Sequence, residues 1–171
     1  MPLVIDSVFQ NKLATLPLAT YGIGETVLNA ASTTGRLLIL KQGAVAVVKE
    51  GVEIAKVREP GAVFGELSAL LDQPHTADVH AIEPSQFHVA DAATLLTHDP
   101  IALLYIATVL ARRLDGANKA LIDLKHQVQS GESRGVIHKT VEKMEELLGA
   151  SGGSLVYAGY PFDPFAPTSS R

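Results

Sequence analysis

The 171-residue sequence contains no cysteine, which excludes disulfides and thiol chemistry and fits a reducing compartment. It is also short of cations. Lys and Arg number 14 against 18 Asp and Glu, a net charge of −4, and no local basic patch stands out. The phosphate contacts that dominate DNA affinity therefore have no evident source. No apolar run approaches the ~20 residues needed to span a bilayer. The first residues, Met-Pro-Leu-Val-Ile-Asp, lack the basic segment of a signal peptide. Catalytic signatures are missing too: there is no Gly-x-Ser-x-Gly and no P-loop lysine pattern. His80, His88, His98, His126 and His138 show no metal-ligand spacing. These absences point away from an enzyme, a metal protein, a membrane protein and a direct DNA binder. The expectation is a non-enzymatic cytoplasmic protein with no metal and no permanent cofactor.

What is present is an apolar content of 47%, ample for the core of one domain with appendages. Residues 4–16 carry Val4, Ile5, Val8, Phe9, Leu13 and Leu16 at mostly helical spacing, with Asp6 or Ser7 as a cap and Pro17 as the stop. From 18 to 92 the texture changes to short β-type runs cut by glycine. Arg36–Leu40, Ala44–Lys49, Glu53–Val57, Val79–Ile82 and Gln86–Ala90 read as strands, with turns at Gly43, Glu50-Gly51, Pro60-Gly61 and Glu83-Pro84-Ser85. Many short strands with regular turns predict an antiparallel sandwich, barrel or roll.

Asp99-Pro100 predicts a helix start, with Asp as N-cap and Pro at the first helical position. The helical pattern runs over 99–129. Leu103, Ala107, Leu110, Leu114, Ala117, Leu121, Leu124 and Val128 form a heptad seam. Its first half is expected to pack on the protein's own strands. The second half, 110–128, is expected to form a parallel homodimer. Gly116 reads as a joint between two helices or a close-contact point. A third amphipathic helix at 135–148 and an aromatic, proline-rich tail follow, within a second region at 131–171. Either offers a surface to a partner protein.

The stretch 61–79 organises the rest. Gly61 and Gly65 bracket Phe64, Glu66 follows, and Leu67–Leu71 is long enough for one or two helical turns before Asp72-Gln73-Pro74. Read from the residues alone, it is a strand, a tight turn and a helical turn. A short helix after a glycine turn aims free N–H groups at whatever lies before it, which favours an anion such as phosphate. A carboxylate beside those donors suits a sugar hydroxyl.

The stretch resembles the phosphate-binding cassette of the cyclic nucleotide-binding domain family, through Phe64, Gly65, Glu66, Leu67, Ser68, Leu70, Leu71, Pro74, Thr76 and Ala77. The resemblance extends over Gly24-Glu25, the Leu37–Leu40 strand, Gly43 and Gly61. It implies an α+β, mainly β fold: an eight-stranded antiparallel β-roll, jelly-roll-like, between an N-terminal helix and C-terminal helices, in a domain over 1–130. It also implies cyclic AMP or cyclic GMP as ligand. Glu66 would meet the ribose, Gly65, Leu67 and Ser68 would offer main-chain donors, and Thr76 and Ala77 would help hold the phosphate.

One position departs. His75 stands where the family has its phosphate-binding arginine. Histidine is shorter and offers one or two donors rather than a planar charged fork. Losing a charge-assisted hydrogen bond forfeits ~1.5–3 kcal/mol. Strand alternation would also set Asp78 on the side of Thr76. The expected function is a regulatory module that binds cyclic nucleotide weakly, or a related small ligand, and signals through a dimer helix. The alternative is a dimerising scaffold with a non-binding cavity.

Overall fold

The computed structural model describes residues 2–130 and Lys139. Apart from Lys139, the expected helix at 135–148 and the tail lie outside the described residues. The helices are α1 (Pro2–Leu13), α2 (Glu66–Leu71), α3 (Ala92–His98) and α4 (Pro100–Ser130). The strands are β1 (Leu18–Tyr21), β2 (Thr26–Leu28), β3 (Arg36–Gln42), β4 (Val45–Lys49), β5 (Val52–Val57), β6 (Val63–Phe64), β7 (Asp78–Ala81) and β8 (Ser85–Asp91). They form two four-stranded sheets, ordered β1-β8-β3-β6 and β2-β7-β4-β5, with every pairing antiparallel. This is the mainly β, roll-type architecture the sequence predicts.

Strand β3 explains why the roll has two cores. Leu37, Leu38, Ile39 and Leu40 are all buried. Side chains alternate across a strand, so Leu37 and Ile39 face the helices while Leu38 and Leu40 face the opposite sheet. A strand covered on both faces reads as a continuous apolar run. The inter-sheet core also holds Phe64 and Phe87, packed edge to face with centroids 5.9 Å apart.

The helical core contains Phe9, Leu13, Leu95, Ala102, Tyr105, Ile106 and Val109. Phe9 stacks on Tyr105 at 4.2 Å, and the Tyr105 hydroxyl donates to the Gly61 carbonyl at 2.9 Å. Lys12 pairs with Asp99, whose Oδ2 has no aligned hydrogen bond and takes the ammonium as an ion partner. Lys12 is half exposed, so this pair contributes at most about 1 kcal/mol. Burial of Phe9 and Leu13, worth ~1.5–3 kcal/mol each, is what holds α1 in place.

Several expectations need correcting. Helix α1 starts at Pro2, so Asp6 and Ser7 lie inside it rather than at its start. Helix α3 went unread, because its seven residues are too few to show a period; Asp91 caps it, accepting from the Thr94 N–H at 2.8 Å. Asp99 does cap α4, accepting from Ile101 and Ala102 at 3.0 Å each. Gly116 is not a joint, since α4 runs through it without a break. In the first half of the leucine seam only Leu110 packs against the core, while Leu103, Ala107 and Leu114 are exposed. The packed face is a second stripe made largely of small side chains: Ala102, Ile106, Val109, Gly116 and Ala120. Ala102, Ile106 and Val109 of this stripe join Phe9, Leu13 and Leu95 in the helical core, so α4 packs mainly on α1 and α3.

Candidate ligand-binding site

Strand β6 ends at Phe64 and the chain turns at Gly65, which has φ +88. This left-handed backbone is costly for any residue with a Cβ. Helix α2 follows at once and stops after Leu71, where Asp72 takes a left-handed conformation. The first α2 backbone bond outside its interior runs from the Ala69 N–H to the Gly65 carbonyl at 3.1 Å. The N–H groups of Glu66, Leu67 and Ser68 therefore have no acceptor among the described residues. The Ser68 hydroxyl turns back to the Gln73 carbonyl at 2.6 Å, which fixes the loop.

Beside this turn lies a cavity of about 240 Å³, open to solvent on one side. All eight residues singled out in the sequence border it: Phe64, Gly65, Glu66, Leu67, Ser68, His75, Thr76 and Ala77. The facing wall is mostly apolar and comes from β4 and β5, with Val47, Ile54, Ala55 and Val57. A register shift explains why two consecutive β5 residues, Ile54 and Ala55, reach the same space. Val47 pairs with Ala55 and Val48 with Glu53, so Ile54 is the extra residue of a bulge.

Glu66 is 4% exposed and its carboxylate is divided between two tasks. Oε1 pairs with Nη1 of Arg113 on α4. Nη2 of the same guanidinium donates to the Val63 carbonyl at 3.0 Å. Oε2 accepts no hydrogen bond among the described residues, yet it is not one of the sealed atoms lacking a partner. Glu66 borders the cavity, so a carboxylate that can accept from a hydroxyl stands in its wall.

His75 is buried and fixed on three sides. Its Nε2 lies 3.0 Å from Thr34 Oγ1, its N–H donates to Ser32 and its carbonyl accepts from Ala31, the last two at 2.8 Å. The ring thus ties the cassette to the loop before β3 while bordering the cavity, and it supplies no charged fork as an arginine would. Asp78 departs from expectation. It does not border the cavity, and its Oδ1 accepts the Ala30 N–H at 2.7 Å. Asp78 is thereby held on the loop before β3 and out of direct contact with a ligand in the cavity.

Two bordering side chains, Arg113 and Lys49, were missed. Arg113 falls in the small-residue stripe of α4, between Val109 and Gly116, so a charge inside a buried stripe was the available signal. Lys49 is two residues beyond Val47 on the same face of β4, and strand alternation marks it.

Residues 19–97 match the family model described as cyclic nucleotide-binding domain. The matched stretch covers the roll, the cassette and α3. The solved structure of PKAR CBD2 bound to Sp-2Cl-cAMPS is similar to this chain at 23% identity and TM-score 0.53, covering 74% of this chain and 80% of its own. The catabolite activator protein of Thermus thermophilus is similar at 20% identity and TM-score 0.57, covering 83% and 81%. At these identities the likeness concerns the fold. No curated protein matches the sequence. Among the described residues, no single helix is long and apolar enough to cross a membrane.

Proposed function

We propose that the cavity binds a cyclic nucleotide and that α4 reads whether it is filled. The observation that carries this reading is the Glu66 carboxylate, which borders the cavity and pairs through Oε1 with Arg113 of α4. A ribose hydroxyl donating to Oε2 would draw charge from the Arg113 pair and alter the hold of α4 on the cassette. Free N–H groups at 66–68 would meet the phosphate. Such coupling is allosteric only if ligand and α4 position bias each other energetically. Affinity is modest, because residue 75 supplies no guanidinium. The signal leaves through a homodimer formed by 110–128, where Leu114, Leu121 and Ile122 are exposed in the single chain, and the setting is cytoplasmic.

Thermal unfolding with cyclic AMP and cyclic GMP tests the reading. A ligand that binds only the folded state raises Tm. A rise in the wild type that vanishes in Glu66→Ala supports it. No rise with either nucleotide at millimolar concentration rejects it and favours the non-binding dimer scaffold.

A further inference from the structure

The cavity has two chemically different ends. The cassette end holds the free N–H groups and Glu66. The β4–β5 end is apolar except for one side chain, Lys49. Lys49 is exposed at the end of β4 and forms no ion pair among the described residues, whereas the other cation of the cavity, Arg113, is committed to Glu66 and Val63. Resting on the cyclic nucleotide reading, the geometry points to Lys49 as a base-selecting residue that favours a 6-oxopurine such as guanine over adenine.

The reasoning is spatial and then chemical. A nucleotide held at the cassette by phosphate and ribose must extend its base toward the remaining wall. Val47, Ile54 and Ala55 line that wall, and Lys49 is its one charged side chain. An ammonium only donates. Guanine presents two adjacent acceptors, O6 and N7, along one edge, while adenine replaces the first with an amino donor. Lys49 therefore complements one edge and meets a donor on the other. Pairing of Lys49 with Val52 fixes its backbone, so its flexible stem swings the ammonium from a set root at the end of β4.

Calorimetric titration of the full chain with cyclic GMP, cyclic IMP and cyclic AMP tests this. Cyclic IMP keeps the O6 acceptor and lacks the guanine amino group. Both oxopurines should bind the wild type about tenfold more tightly than cyclic AMP. Lys49→Met should erase that difference by weakening only the two oxopurines. Equal weakening of all three would assign Lys49 to general charge attraction and overturn the inference. Cyclic AMP binding the wild type as tightly as cyclic GMP would also overturn it, with the nucleotide reading intact. No binding of any of the three removes that reading, and this inference with it.

Discussion

Arg113 and Glu66 lie 47 residues apart in sequence and meet as an ion pair at the edge of the cavity, where Glu66 is almost fully buried and Arg113 is 20% exposed. The pair joins the long helix to the cassette at a point both would need for ligand sensing. A mostly buried pair gives a specific energetic signature. Its net contribution is small, but removing one partner strands a charge away from water.

Arg113→Met should therefore destabilise the protein by several kcal/mol, on the order of 3. Glu66→Gln with Arg113→Met should be less destabilised than Arg113→Met alone, because a neutral amide replaces the stranded carboxylate. Chemical denaturation of the four proteins in the cycle measures this directly. A coupling energy indistinguishable from zero would mean the pair is not formed in solution.

Gly65 is expected to tolerate no side chain. A Cβ there would sit 2.5 Å from the Arg36 carbonyl oxygen, a backbone atom that cannot swing aside, and φ is already +88. Gly65→Ala should cost about 1–3 kcal/mol from the left-handed backbone alone, with the steric clash in addition. A melting temperature equal to wild type would contradict the described turn.

How far the sequence could be read depends on the kind of signal. The strands of the roll were legible because buried strands concentrate aliphatic residues between glycine turns, as Leu37–Leu40 and Val45–Lys49 do. The cassette was legible because its glycine, acid and proline sit close together in sequence. The roles of His75 and Asp78 were not. Each is settled by a partner more than forty residues away, Thr34 for one and Ala30 for the other. The inner face of α4 was misread for a related reason. Leucine periodicity marks a strong stripe, but packing against α1 and α3 selected the weaker stripe of Ala102, Ile106 and Val109.

Replacing His75 with arginine should raise nucleotide affinity about tenfold, by adding a charge-assisted fork near the free N–H groups. His75→Arg gives up the Thr34 contact, so stability falls slightly while affinity rises. Titration with cyclic GMP checks the affinity and a melting curve checks the fold. Weaker binding in a folded variant would place the phosphate elsewhere in the cavity.

Acid sensitivity should trace to His88. Burial, with the nearby Lys41 charge, holds its imidazole below the usual range, and only a backbone contact at Leu13 opposes this. The folded state thus resists a proton that the unfolded chain takes up near pH 6.5. Stability contributed by neutral His88 is complete above that pH and is lost as pH falls toward the lower folded value. Melting temperature should drop between pH 7.5 and pH 5.5, and His88→Gln should lose less over the same interval. An equal drop in both proteins would move the acid response to another group.

The outward stripe of α4 makes the strongest demand on a partner. Leu114 is 63% exposed, Leu121 51% and Ile122 53%, all on the helix whose Arg113 borders the cavity. Aliphatic side chains this exposed along one helix carry a hydration penalty that pairing with an identical helix would remove. The seam spacing of 3.5 residues suits a left-handed parallel pair. Leu114→Glu with Leu121→Glu should convert a dimer to a monomer in sedimentation equilibrium. The folded monomer should keep its melting transition, since neither residue belongs to the buried core. The same variant should still take up cyclic nucleotide through Glu66. A wild-type protein that sediments as a monomer at micromolar concentration would leave the stripe to a different partner and remove dimerisation from the signalling route.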